Sequence, residues 1–295
     1  MWIGFVVTMA ASLALTPLAR FLAPRFGAVD APDGKRKLQK KPVPLWGGVA
    51  VYLSMLLGLT VIHLSPWGGV AGLETLSLVL ALAAGIVCLC GCFDDAWDLN
   101  ARFKLLLQIV AVLPAVIAGY AVNRIVLFGT PIDLGWLGIP LTVFWLVGCI
   151  NALNLLDGMD GLASAVGLST AAMLAIIAMA GGHDHVAMIA VVLAGALAGF
   201  LLVNLPPASI YLGDSGSMVI GLTVGLLGVQ GSLKTTATLS ITAPAIVMAI
   251  PMIDTMLAIL RRKLSGQRFD APDRGHIHHR LLDRGLSTWQ ALCVI

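Results

Sequence analysis

The chain has 295 residues, of which 59% are hydrophobic and 11% charged, with a formal net charge of +3. Its mean hydropathy is +0.95. Soluble domains carry about 25% charged residues, so this composition excludes a water-soluble globule, and the small net charge gives no nucleic-acid footprint. Cys88, Cys90 and Cys92 alternate inside one apolar run, a spacing that suits buried filler and argues against both a metal site and a disulfide framework.

Apolar runs near the ~20 residues that cross a hydrocarbon core predict spans at 2–19, 43–64, 74–93, 103–122, 141–156, 161–181, 186–204, 214–230 and 237–260, and a tenth starts near Ser287 and is cut off at Ile295. The expected fold is therefore an all-α polytopic membrane protein of about ten helices in one integral domain, 1–295. The first run lacks a preceding basic region, unlike a signal peptide, and Arg20 and Arg25 follow it, which puts the N-terminus outside. Carried through the chain, this topology leaves only Arg124 and Lys234 among the basic residues, and Glu74, Asp133 and Asp184 among the acids, on the outer side.

The inner segments hold the chemistry. The first, RKLQKKPVPLWGG at 36–48, adds positive charge and serves as topology signal and lipid anchor or as a further source of cations for phosphate. At the end of the third span stand Asp94, Asp95 and Asp98, close enough on a helix to repel one another unless a cation sits among them. Lys104 and Gln108 follow one turn apart, Lys104 either completing a phosphate site or snorkelling. Residues 123–140 read as a small outer hairpin with a structural role. Asn151, Asn154, Asp157 and Asp160 step by three, with Gly158 and Gly161 loosening the helix; amides there suit a base or sugar, and the acids suit ribose hydroxyls or a metal. The pairs Gly195/Gly199 and Gly221/Gly225 permit close helix contact within one bundle or across a homodimer seam. The loop Asn204–Ser217 runs into the eighth span, with Gly213 letting the backbone approach an anion and Asp214 serving as metal ligand or as helix cap. In 261–286, Arg274, His276, His278, His279 and Arg280 suit a diphosphate group better than a closed zinc site. Acids for metal, amides for a base and cations for phosphate, all at one membrane face, suit phosphoryl transfer between a soluble nucleotide donor and a lipid phosphate.

The stretches DDAWDLNARFKLLLQ, NALNLLDGMDGLA, NLPPASIYLGDSGS and GHIHHRLLDRGLS, with RKLQKKPVPLWGG before them, resemble the polyprenyl-phosphate N-acetylhexosamine-1-phosphate transferases, in family order across 36–287. The resemblance implies an inner-membrane enzyme, its active site on the cytoplasmic face. Such an enzyme moves a sugar-1-phosphate from a UDP-N-acetylhexosamine to undecaprenyl phosphate and releases UMP, using Mg²⁺ with Mn²⁺ as the alternative. It implies that Asp94 and Asp95 form the catalytic pair, one of them deprotonating or orienting the lipid phosphate, and both are candidate metal contacts; Asp95 is the first candidate for the essential acid and Asp94 the second. Asp214 would be the principal metal ligand. Asn151, Asn154, Asp157 and Asp160 would line the nucleotide pocket, with Asp157 also catalytic and Lys41, Asp98, Asn204, Tyr211 and Gly213 nearby. His278 and His279, flanked by Arg274, His276 and Arg280, would meet the diphosphate or sugar, and Lys104 the lipid phosphate. The Ile-His-His-Arg-Leu and Pro-Leu-Trp-Gly-Gly sequences are similar to the branch that uses UDP-GlcNAc rather than the branch that uses UDP-MurNAc-pentapeptide; UDP-GalNAc is a further donor to compare. Gln39 departs from the branch, which often has His there. A transporter and a non-catalytic polyprenyl-phosphate binder are the rivals; acids gathered at one face, not the midplane, oppose the transporter.

Overall fold

The computed structural model describes residues 1–32, 41–127, 130–232 and 283–294, together with Ile253, Leu264 and Leu281. All of the predicted ninth span but Ile253, and most of 261–286, lie outside the described residues, as does Gln39.

The elements run α1 (Trp2–Leu22), a 3-10 turn (Ala23–Phe26), β1 (Val29–Asp30), β2 (Val43–Pro44), α2 (Gly47–Leu64), α3 (Leu73–Trp97), α4 (Ala101–Ile117), β3 (Arg124–Leu127), β4 (Thr130–Asp133), α5 (Gly138–Leu156), α6 (Leu162–Ala180), α7 (Asp184–Asn204), α8 (Gly213–Ser232) and α9 (Thr288–Val294). Among the described residues, six helices are long and apolar enough to cross a membrane: Trp2–Phe26, Gly47–Leu64, Leu73–Trp97, Gly135–Leu156, Leu162–Ala180 and Asp184–Asn204. This is a multi-pass, all-α membrane protein. The helix α4, with 17 residues, is shorter than the run at 103–122 that predicted it.

Close helix contact is bought by small residues, because lipid offers no hydrophobic drive for helix association. The α1 stripe Gly4, Thr8, Ser12 and Thr16 is buried. A Cβ on Gly195 would lie 2.1 Å from the Thr8 hydroxyl, and one on Gly199 2.4 Å from the Met9 carbonyl, so both α7 glycines receive α1. Gly221 and Gly225 likewise receive α5, at Cys149 and Ile150. These pairs pack within the bundle.

The helix α8 is the axis. Residues 215–230 are all buried, and α2, α3, α5 and α6 surround it. Protein on every side accommodates the Gly, Ser, Thr and Gln that α8 carries. Its first turn is gripped from two directions. A Cβ on Gly48 would stand 2.0 Å from the Gly216 nitrogen, and one on Gly91 2.2 Å from the Ser215 nitrogen.

Two short ladders cap the bundle. β3 pairs with β4 antiparallel, Arg124 opposite Asp133, giving the hairpin expected between α4 and α5. Their side chains form an exposed ion pair at 2.6 Å. The other ladder was not expected: β1 pairs with β2, Val29 opposite Pro44. Tyr211 N then donates to Pro44 O at 2.9 Å, and Gly47 N and Gly48 N donate to Tyr211 O and Leu212 O at 3.0 and 2.8 Å. This backbone seam ties the first loop to the loop that feeds α8.

Candidate active site

The helix α3 continues one turn past its apolar run, so Asp94 and Asp95 sit on helix and not beyond it. The chain then reverses within three residues. Asp98 caps α3 in the left-handed region at φ 52°, and the Asn100 side chain caps α4 by accepting from Arg102 N at 3.0 Å. Asp94 Oδ1 accepts from Leu99 N at 2.9 Å, bracing the corner. This tight turn sends Lys104 of α4 back toward α3.

Lys104 is the centre of the site. Its Nζ donates to Asp94 Oδ2 at 3.0 Å, to Asn154 Oδ1 at 3.3 Å and to Asp214 Oδ2. Asn154 in turn donates to Asp214 Oδ1 at 2.8 Å and to Ser217 Oγ at 3.0 Å. Four helices, α3, α4, α5 and α8, thus converge on one ammonium. The side chains of Lys104, Asp94 and Asp214 are 16%, 14% and 26% exposed, so solvent screens them weakly and each charge needs its partners.

Asp95 does something else. Its Oδ1 accepts from Asp214 N at 2.8 Å and its Oδ2 from Ser215 N at 3.4 Å. A carboxylate from α3 therefore caps α8, satisfying free backbone donors and facing the positive helix end. The sequence reading offered Asp214 as that cap; with the role filled by Asp95, the Asp214 side chain is free to face Lys104. Gly213 is required twice over: its φ is 71°, and a Cβ there would lie 2.6 Å from Asp95 Oδ2.

The break between α5 and α6 falls at 157–161, with Gly161 at φ 75°. Asp157 caps α5 there. Desolvation raises its carboxyl well above the ordinary range, and the nearby charges of Asp214, Asp95 and Asp160 add to the effect. Asp160 Oδ2 accepts from Ala208 N at 2.9 Å, holding the 204–213 loop. Burial raises the Tyr211 phenol, and Asp160 raises it further.

Two candidates prove to be spoken for. Asn151 donates to Gln108 Oε1 at 2.7 Å and Val147 O at 2.8 Å and accepts from Gln108 at 3.3 Å. Asn204 is buried, donates to Ile210 O at 3.0 Å and accepts from Ser164 at 2.8 Å, closing its own loop. Asp98 and Lys41 are exposed. Arg274, His276, His278, His279 and Arg280 lie outside the described residues.

Oxygens of Asp94, Asp214 and Asn154 around one cation are a donor set that suits a hard divalent ion, which takes few carboxylates and completes its shell with water and phosphate. Among the described residues, no three His, Cys, Asp or Glu side chains gather into a ready-made metal cage.

The sequence pattern of glycosyl transferase family 4 matches residues 77–232, which include Lys104 and the three groups around it. The chain belongs to that family. Within it, the chain is 36% identical to a probable undecaprenyl-phosphate N-acetylglucosaminyl 1-phosphate transferase of Bacillus subtilis, over 99% of this chain and 80% of that protein. It is 35% identical to a decaprenyl-phosphate N-acetylglucosaminephosphotransferase of Mycolicibacterium smegmatis, over 95% and 75% of the two. With an undecaprenyl-phosphate alpha-N-acetylglucosaminyl 1-phosphate transferase of Salmonella typhimurium the identity is 30%, over 94% and 75%. The family match begins after Lys41 and ends before Arg274, so it covers the aspartates, Lys104 and the asparagines but neither basic loop.

The residues that local reasoning passed over are Ser164 and Ser217, which orient Asn204 and Asn154. Isolated serines in apolar helices give no signal until their partners are known.

Proposed function

We propose that the protein transfers N-acetylglucosamine-1-phosphate from UDP-GlcNAc to a polyprenyl phosphate, forming polyprenyl-diphosphate-GlcNAc and UMP. The observation that carries this reading is the Lys104 centre, an ammonium held by Asp94 and Asp214 at one end of an apolar bundle, in a chain whose relatives bear that activity in their names.

A lipid phosphate oxygen attacks the β-phosphorus of UDP-GlcNAc, and the bond from that phosphorus to the bridging oxygen breaks, leaving UMP. Asp94 orients or deprotonates the lipid phosphate. Lys104 offsets the charge that develops on the transferring group. Asn154 fixes Asp214, while Asp157, Asp160 and Tyr211 line the nucleotide side. In this reading Asp95, first candidate above for the essential acid, holds Asp214 in place, since both its oxygens are engaged by the α8 backbone. Asp214 and Asp94 would hold Mg²⁺, or Mn²⁺ in its stead, which would supply electrostatic stabilisation of the phosphate oxygens. His278, His279, Arg274, His276, Arg280 and Lys41 complete the diphosphate contacts in this reading.

The same reading puts the site on the cytoplasmic face of the plasma membrane of a single ten-helix domain, N-terminus outside. Arg20, Arg25, Lys41, Arg102 and Lys104 share the end of the bundle that carries Asp94, as the positive-inside rule requires. The test is UMP release by the purified protein in detergent with Mg²⁺ and undecaprenyl phosphate, comparing UDP-GlcNAc, UDP-GalNAc and UDP-MurNAc-pentapeptide. Lipid-dependent release from UDP-GlcNAc alone is expected; no release from any donor would overturn the proposal.

A further inference from the structure

One helical turn further into the membrane from Lys104 and Asn154, a second polar tier joins helices that carry the site. Gln108 follows Lys104 by four residues on α4, and Asn151 precedes Asn154 by three on α5. The two amides bond reciprocally, at 2.7 and 3.3 Å. Gln108 Nε2 also lies 3.4 Å from Met218 Sδ of α8, the residue after Ser217, which Asn154 touches. Gln108 is 1% exposed, so its amide is shielded from bulk solvent. The tiers share α4, α5 and α8, and each holds side chains from all three.

We propose that Gln108 and Asn151 are positioning residues for the reaction: their amide pair fixes the spacing and rotation of α4 against α5 and so aims Lys104 and Asn154 at Asp214. The inference rests on the transferase reading above. A primary-amide pair is the chemistry that does this work at such depth. It is neutral, so it carries no desolvation penalty for charge, and its two antiparallel bonds fix orientation as well as distance, which a packed Leu–Leu contact does not. With the catalytic ammonium one turn away, a small rotation of α4 swings Lys104 through an arc that direct contact with Asp94 alone does not prevent. Asn151 thereby leaves the set of nucleotide contacts, since both its amide hydrogens are committed.

The test compares the wild-type protein with Gln108→Leu, Gln108→Asn, Asn151→Gln and the exchanged double variant Gln108→Asn/Asn151→Gln, which keeps the summed length of the pair. Steady-state UMP release gives kcat and KM per folded molecule, and thermal melting reports stability. Expected is a fall in kcat of about tenfold or more for Gln108→Leu and Gln108→Asn at nearly unchanged KM for UDP-GlcNAc, with the exchanged variant recovering most of it. A role in packing alone moves the melting temperature and leaves kcat per folded molecule intact, and that result overturns the inference. So does an exchanged variant that melts like the wild type yet turns over as slowly as Gln108→Asn, a comparison that decides the matter even where Gln108→Leu does not fold. Absence of lipid-dependent UMP release from the wild-type protein overturns the transferase reading itself, and the inference with it.

Discussion

The ammonium of Lys104 is ion-paired to the carboxylate of Asp214, 110 positions later in the chain. The pair holds the corner between α3 and α4 against the first turn of the buried helix α8, and Asp94 shares the same cation. Replacing Lys104 by Met leaves two partly buried carboxylates facing each other. UMP release is expected to fall by about 100-fold or more. Binding of Mn²⁺ in the absence of substrate, followed by electron paramagnetic resonance, is expected to tighten, because the ammonium no longer competes for the same oxygens. Unchanged Mn²⁺ affinity would show that lysine and metal do not share the position.

Asp95 and Asp214 separate in their effects on stability. Asp95→Ala uncaps α8 and costs about 0.5–2 kcal/mol, so both the melting temperature and the turnover are expected to drop. Asp214→Asn keeps the helix capped and leaves Lys104 its pair with Asp94, so turnover is lost while the stability cost comes from the lost ion pair and not from an uncapped helix. Thermal melting beside UMP release checks both, and an Asp95→Ala protein that melts like the wild type would remove the capping role.

The grip on the start of α8 predicts a steric result. Gly91→Ala places a methyl group 2.2 Å from the Ser215 nitrogen, a backbone atom with nowhere to go. The helices must part by a fraction of their contact distance, and Asp95 is carried away from its amides. Turnover is expected to fall severely. Gly69→Ala, where the new methyl meets nothing within 4 Å, is the control that keeps wild-type activity.

Asp157 gives a pH signature. Burial, with Asp214, Asp95 and Asp160 nearby, raises its carboxyl in the folded state, so the folded protein holds this proton to higher pH than the unfolded chain does. Stability is therefore lost as pH rises above the ordinary carboxylate range near ~4. Asp157→Asn removes that loss. The variant is expected to melt above the wild type at pH 8, with the gap closing as the pH falls toward 4. A gap that stays constant over this range would mean that Asp157 ionises as freely folded as unfolded.

Some of this was legible in the linear sequence. Gly158 and Gly161 among polar residues marked the break between α5 and α6, and the structure ends α5 at Leu156. Turn residues between apolar strands marked the outer hairpin. Other features have no local signature. The run of apolar residues ends at Phe93, yet α3 continues to Trp97, because Asp95 finds its partners on α8, some 120 residues away. The ladder of β1 and β2 has two residues per strand, too few for any alternation to show. The register of Asn151, Asn154, Asp157 and Asp160 was readable, but spacing does not tell a side chain that meets a ligand from one consumed by a neighbouring helix. Asn151 belongs to Gln108 and Asn204 to its own loop. Gln108 was visible one turn beyond Lys104, and only the fold supplies the amide it answers.

The buried axis has a consequence for how the molecule is made. With six glycines, a glutamine and an aspartate, α8 is the least apolar of the long described helices, and the others bury it on all sides. Such a segment enters the bilayer in company. During synthesis α2, α3, α5 and α6 are all translated before it, so the sleeve exists when α8 leaves the ribosome, and the last of its walls to be made, α6, is separated from it by one helix only. Chain order here doubles as an assembly schedule: with α8 moved to the front of the protein, it would reach the bilayer before any wall of its sleeve.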